Sequence, residues 1–297
     1  MFLGMKNEHL STHPRPTVPS APSAPAVDPA RTTVLAPRGL TAFLVIAFAF
    51  SWTAWWGGSL LLDGANPMPA VLVGSFGPMV AAVLVTAATG GRSGVGALFR
   101  RYAPLRRGGI TPYAIAVLVV LAIAASGVVA VRLQGATVDG AALDAALMAV
   151  PVQFLLIALV GGGNEELGWR GFALPRLQGS LPPLAANAVL GAVWAVWHAP
   201  LFSMAGTVQA QMYFPAYALL CVGLTVVLGH VFNSSRGGVL APVIAHTAVN
   251  VVSGLKGAAV GDPAGAPEVA LVALVAVFLV VATRGRLGLR GADAPRR

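Results

Sequence analysis

The run Ile110–Val131, ITPYAIAVLVVLAIAASGVVAV, holds 22 residues without one charged side chain. Crossing the ~30 Å hydrocarbon core of a bilayer as a helix takes about 20 apolar residues, so this stretch reads as a transmembrane helix. Working outward, seven more runs fit the same template: Leu40–Leu62, Met68–Thr89, Ala145–Gly163, Leu181–Ala205, Met212–Phe232, Gly237–Leu255 and Ala264–Thr283. The expected fold is an all-α polytopic membrane helical bundle of about eight transmembrane helices.

Composition agrees. Hydrophobic residues make up 57% of the 297-residue chain, charged residues 10%, and mean hydropathy is +0.78; in soluble domains roughly a quarter of residues are charged. The single cysteine, Cys221, has no partner for an intrachain disulfide. A formal charge of +9 does not point to nucleic acid here, because the basic residues fall between the apolar runs, where they act as a topology signal. With the N-terminus inside, the inner side receives all 19 basic residues except Arg132 and Lys256, while Asp63, Asp139, Asp144, Asp262 and Glu268 fall outside. That asymmetry predicts cytoplasmic N- and C-termini in a multi-pass protein of the inner (plasma) membrane, with the lipid bilayer as its first partner. Only Lys6 and Lys256 are lysine, a skew that fits a GC-rich bacterial genome.

Residues 1–38 are rich in Pro, Ser, Thr and Ala and read as a disordered cytoplasmic tail. No apolar signal core precedes residue 40, so the first run is expected to remain as an anchor. Further domain expectations are N-terminal transmembrane helices over 39–144, a catalytic transmembrane unit over 145–256, a last helix over 257–284 and a basic cytoplasmic tail over 285–297.

Polar residues break the apolar rule in three places. One is Gly161-Gly162-Gly163-Asn164-Glu165-Glu166-Leu167-Gly168-Trp169-Arg170-Gly171-Phe172. An ionisable group at the centre of a span costs about 2.5–3.5 kcal/mol even on the mildest scale. Glu166 and Arg170 stand four apart on one helix face and can pair, while Glu165 points about 100° away. The other two places are Trp194 with His198 and His246 with Asn250, each pair at i, i+4. At 1.5 Å per residue, Glu165 lies about 18 Å, His198 about 22 Å and His246 about 14 Å from the turns at Gly179–Pro183 and Asn233–Gly238. Neighbouring helices would bring them to one depth, in a cavity expected to open to the cytoplasm.

Taken singly, each residue has an ordinary explanation. The glutamates can cap a helix or pair with Arg170, the histidines can pack with a carbonyl partner, and Asn250 can join helices. Their coincidence in depth on three helices points instead to chemistry. A carboxylate beside an imidazole can deprotonate water and return the proton to a leaving amine. A second imidazole and an amide can stabilise an oxyanion. Alternatively Glu165, His198 and His246 can hold zinc and lower the pKa of its bound water to about 7.

The pattern Glu165-Glu166-x-x-x-Arg170-Gly171, Trp194-x-x-x-His198 and His246-x-x-x-Asn250, each part on its own helix, resembles the CPBP family of intramembrane proteases (type II CAAX prenyl endopeptidases, with the abortive-infection and lysostaphin-resistance-A-like proteins) over about residues 150–255. The resemblance implies hydrolysis of a peptide or membrane-anchored protein. It implies that Glu165 and His198 activate water, that His246 and Asn250 bind the oxyanion, and that Glu166 and Arg170 support them. It also implies that Trp194, where the family usually has Phe, fills a packing role. The family is commonly labelled metalloprotease, which keeps a divalent metal such as zinc among the expectations. Two competing readings are a non-catalytic bacteriocin-immunity or scaffold protein and a proton-coupled transporter, since buried Glu and His also serve proton relays.

Other signatures are missing. There is no His-Glu-x-x-His and no P-loop. Gly74-Ser75-Phe76-Gly77 has only a superficial likeness to a rhomboid serine loop, because no later histidine is left to serve it. Trp52, Trp55 and Trp56 are expected to be interface anchors, Cys221 core, and His230 interfacial without a polar neighbour at i±4.

Overall fold

The computed structural model describes residues 36–61, 66–103, 109–261 and 265–289. The expected N-terminal tail lies outside these residues, apart from its last three, as does the end of the C-terminal tail. The described elements are α1 (Ala36–Trp52), α2 (Gly58–Leu61), α3 (Met68–Gly74), α4 (Gly77–Phe99), α5 (Thr111–Gln134), α6 (Gly140–Val160), α7 (Gly162–Gly168), α8 (Leu174–Gln178), α9 (Pro183–Trp197), α10 (Phe214–Ser234), α11 (Leu240–Val260) and α12 (Ala266–Ala282). Among the described residues seven helical stretches are long and apolar enough to cross a membrane, and α12 adds a shorter apolar helix of 17 residues. That length is at the lower limit for a span. The all-α polytopic bundle expected from the sequence is what the chain forms.

Proline and glycine set many of the boundaries. Helices α3, α4, α5, α8, α9, α10 and α12 each carry Pro in their first positions, where the missing N–H costs nothing and φ is already helical. The Asp139 side chain caps α6 by accepting from the Ala142 N–H at 2.9 Å. Gly135 and Gly261, both at φ 70°, end α5 and α11 in the left-handed conformation.

One break matters most. The fourth apolar run is expected over Ala145–Gly163, with its helix broken at Gly161–Gly163 and continuing to about Leu177; the chain leaves helical geometry at Gly161 (φ −121°, ψ −143°) and resumes as α7, a π-helical turn Trp169–Ala173 and α8. A Cβ on Gly163 would press on the backbone of Ala158, so the bend needs a bare backbone there. Beyond the bend, Gly168 lies against Pro78 of α4 with no room for a Cβ. Whereas α6 has no buried residue, every residue of α7 is buried.

Helix α7 packs between α4 and α11, while α9 packs on α10 and α10 on α12. An aromatic cluster joins the first helix to this centre: Phe43 stacks on Phe172 at 4.9 Å and meets the edge of Trp169 at 5.5 Å, and Trp169 meets Trp197 at 5.6 Å.

The bundle has two distinguishable ends. At one, the Val239 N–H donates to the Arg101 carbonyl (2.8 Å), Arg101 Nη1 donates to the Gly237 carbonyl (3.1 Å), and Asn233 Nδ2 donates to the Leu287 carbonyl (2.9 Å). Arg100, Arg101, Arg176, Arg236, Arg284 and Arg286 belong to the turns and helix ends on this side. At the other end, the Asp139 N–H donates to the Ala259 carbonyl at 2.8 Å, and Trp52 Nε1 donates to the Trp197 carbonyl at 2.9 Å. Near it, Lys256 of α11 pairs with Glu268 of α12.

Candidate active site

The bend at Gly161 delivers Glu165 and Glu166 to the bundle interior one residue apart, and they meet different surroundings. Glu165 Oε2 accepts from two indoles, Trp194 Nε1 at 2.9 Å and Trp169 Nε1 at 3.2 Å. Glu166 Oε1 accepts from Arg170 Nη1 and from His246 Nδ1, each at 2.8 Å. Arg170 continues through Nη2 to Thr225 Oγ1 at 3.2 Å and places its guanidinium over the Trp194 ring, 5.1 Å from the centroid. The side chains of Glu166 and Arg170 are 0% exposed, and only charges matched this closely are tolerated at such depth.

The two imidazoles are fixed by opposite kinds of partner. His198 is the residue that ends α9, and its Nδ1 lies 2.9 Å from the Trp194 carbonyl. A carbonyl oxygen only accepts, so Nδ1 carries the proton and, in the neutral ring, Nε2 keeps the lone pair. His246 turns Nδ1 to the Glu166 carboxylate, which leaves its Nε2 on the side of Gly162. A Cβ on Gly162 would stand 2.7 Å from that Nε2 and 2.6 Å from Asn250 Nδ2, so the glycine keeps the space between α7 and α11 open.

Glu165, Trp194, His198, His246 and Asn250 all line one cavity of about 660 Å³, within the usual range of small-ligand pockets. Glu166 and Arg170 are not among its lining residues and lie behind it. Every sequence-predicted site residue is therefore either on the wall or in contact with a wall residue, Glu166 by its bond to His246 and Arg170 by lying over Trp194. Trp194, expected only to pack, also donates a hydrogen bond to Glu165.

Several expectations are corrected. Trp55 is no interface anchor: it is buried in the cavity wall, with its ring 4.7 Å from that of Trp197 and 6.4 Å from that of His198. Cys221 is buried but also lines the cavity, next to Tyr217, whose ring lies 5.4 Å from that of His198. Ser75 Oγ lies 2.8 Å from the carbonyls of Leu72 and Val160, a structural tether. His230 does have a companion at i+4, since its Nε2 lies 3.2 Å from Ser234 Oγ. Trp169 went unread in the sequence, although its place four residues after Glu165 was the available signal.

Among the described residues, no three His, Cys, Asp or Glu side chains are arranged to hold one ion. The oxygen of Glu165 that is bonded receives indole N–H groups, and His246 Nδ1 is taken by Glu166.

Beyond the polar residues the cavity is lined by Met68, Leu72, Val208, Gln211, Gly257 and Gly261. These belong to the helix ends and connections remote from the arginine cluster.

Residues 147–252 match the family model described as type II CAAX prenyl endopeptidase, Rce1-like. The chain is also similar to the CAAX prenyl protease 2 of Methanococcus maripaludis, with 28% identity over 108 residues, covering 34% of this chain and 39% of that protein.

Proposed function

We propose that the chain is an intramembrane endopeptidase of the CPBP family, the family its motifs resemble and whose Rce1-like model matches residues 147–252. It hydrolyses a peptide bond of a membrane-associated protein or peptide with water activated by Glu165 and His198. The observation that carries this reading is the convergence of Glu165 from α7, His198 from the end of α9, and His246 and Asn250 from α11 on one cavity inside an apolar bundle.

The indole pair holds Glu165 Oε2 and leaves Oε1 for a water molecule. His198 Nε2, freed by the Nδ1 contact with Trp194, accepts the proton as the water oxygen bonds to the scissile carbonyl carbon. The carbonyl oxygen then carries the negative charge. The Asn250 amide donates to it, and the His246 ring, held through Nδ1 by Glu166, faces it with Nε2. The proton taken from water passes to the amide nitrogen, the C–N bond breaks, and a carboxylic acid and an amine leave. Glu166 and Arg170 act through His246 and Trp194 as positioning residues.

Wild type and Glu165→Gln, reconstituted with membrane-anchored test peptides and analysed by mass spectrometry, test the reading. Gln keeps the size and one indole acceptor but removes the charge, so product is expected to fall by about 10²–10⁴-fold. Equal product from both proteins would remove Glu165 from the chemistry.

A further inference from the structure

Past His246 and Asn250, the α11 side of the cavity wall is made of Ser253, Gly254, Gly257, Ala258 and Gly261, all small. A Cβ on Gly254 would meet nothing within 4 Å, so the wall leaves room there for a bound chain. One larger polar residue joins this stretch: Glu268, from the first turn of α12. It and Glu165 are the carboxylates of the described wall, which holds no Lys or Arg. Glu268 is 1% exposed, and two residues of α11 hold it. Ser253 Oγ donates to Oε1 at 3.1 Å, and Lys256 pairs with Oε2. Because Ser253 is itself a wall residue, Oε1 is the oxygen at the wall. Lys256 is not a wall residue; its stem lies against α5, where a Cβ on Gly127 would stand 3.2 Å from Lys256 Cγ, and α5 supplies none of the described wall. The ion pair is therefore polarised, with the carboxylate at the cavity and the ammonium behind it.

That acceptor stands close to the reaction. Ser253 lies three residues beyond Asn250, and Cβ atoms at this spacing are about 5–6 Å apart. With the further 3.1 Å from the Ser253 hydroxyl to Oε1, the carboxylate lies roughly 10 Å from the Asn250 amide, the length of about three residues of extended chain. Glu268 also falls outside residues 147–252, the stretch that matches the family model. We propose that Glu268, seated by Ser253 and Lys256, is a substrate-recognition residue. It accepts a hydrogen bond from a donor side chain, such as Gln or Lys, of an otherwise apolar peptide, about three residues from the bond that is cleaved. A carboxylate accepts several hydrogen bonds at once, so a donor can join the partners already there, whereas a carboxylate on the peptide would be repelled. The position relative to the cleaved bond rests on the endopeptidase reading above; the binding preference does not.

The test measures binding to the full chain carrying Glu165→Gln, in detergent, of ten-residue Ala/Leu peptides in which one position at a time is Gln, Lys, Leu or Glu. The best-placed Gln or Lys peptide is expected to bind about tenfold more tightly than its Leu counterpart, and the Glu peptide less tightly than Leu. In the same background, Glu268→Leu combined with Lys256→Met removes both charges together, so that neither is left buried alone, and the ratio is expected to collapse toward one. Glu268→Asp keeps the charge but withdraws it by one methylene; it is expected to lose the preference too, and it decides the matter if the double variant does not fold. Equal binding of the Gln, Lys and Leu peptides, no binding of any of them, or a preference unchanged in these variants overturns the inference. Wild type is then incubated with the preferred peptide and the products are read by mass spectrometry. Cleavage about three residues from the Gln or Lys supports the placement, and cleavage elsewhere overturns it. A binding preference without Glu165-dependent cleavage removes the endopeptidase reading and leaves Glu268 as a peptide-binding residue.

Discussion

Glu165 and Glu166 are adjacent in sequence, and what separates their roles is the donor each one meets. Two neutral indoles hold Glu165 without neutralising it, while Glu166 is balanced by a guanidinium and an imidazole. Trp194→Phe keeps a ring for Arg170 to lie on and removes one of the Glu165 donors. A hydrogen bond to a charged group is worth about 1.5–3 kcal/mol, so cleavage is expected to drop by at least about tenfold in kcat, with KM little changed and the melting temperature close to wild type. Glu166→Ala acts differently. It leaves Arg170 buried with its charge uncompensated, and thermal unfolding in detergent should show a loss of about 3–5 kcal/mol in addition to lost activity. A Glu166→Ala protein as stable as wild type would contradict this account. The i, i+4 spacing made the Glu166–Arg170 pair legible in the sequence. The bond from Glu166 to His246, 80 positions away, was not, because no local rule connects α7 with α11.

Among the elements, α7 carries the site because it starts from a break. Three successive glycines let the chain leave α6 at Gly161, turn inward, and bring its first turn against α11 without a side chain between them. Gly162→Ala tests this directly: the added methyl would meet Asn250 Nδ2 and His246 Nε2 within 2.7 Å and push α11 away from α7. The expected outcome is loss of cleavage in a protein that still inserts and elutes as wild type, whereas Gly90→Ala, where nothing lies within 4 Å of the new Cβ, should be neutral for activity. The same scale explains the misread of Trp55. Its position near the end of an apolar run resembles an interface anchor, but the π-helical turn Thr53–Gly57 belongs to a segment that folds back against α3 and the end of α9, which puts the ring in the cavity wall.

For the whole molecule the bilayer is the solvent, and the exposed apolar surface follows from it. α6 turns Leu155, Leu156 and Leu159 outward, all more than half exposed. Leu155→Arg would place a charge in lipid at a cost of about 2.5–3.5 kcal/mol, and the amount of protein recovered from the membrane fraction is expected to fall accordingly, while Leu155→Ala should be recovered like wild type. The sequence by itself determined the class and the count of helices, because the length of an apolar run and the placement of arginines are local quantities that a bilayer reads directly. It also singled out Glu165, His198, His246 and Asn250, since polar groups stand out in an apolar chain. Only the tertiary structure decided which neighbours α7 meets beyond the break at Gly161, that Trp169 and Trp55 join the site, and that Met68, Leu72, Val208 and Gly261 complete the cavity wall. Those outcomes depend on which helices pack together and where glycine lets them approach, and pairing between distant segments leaves no periodic trace along the chain.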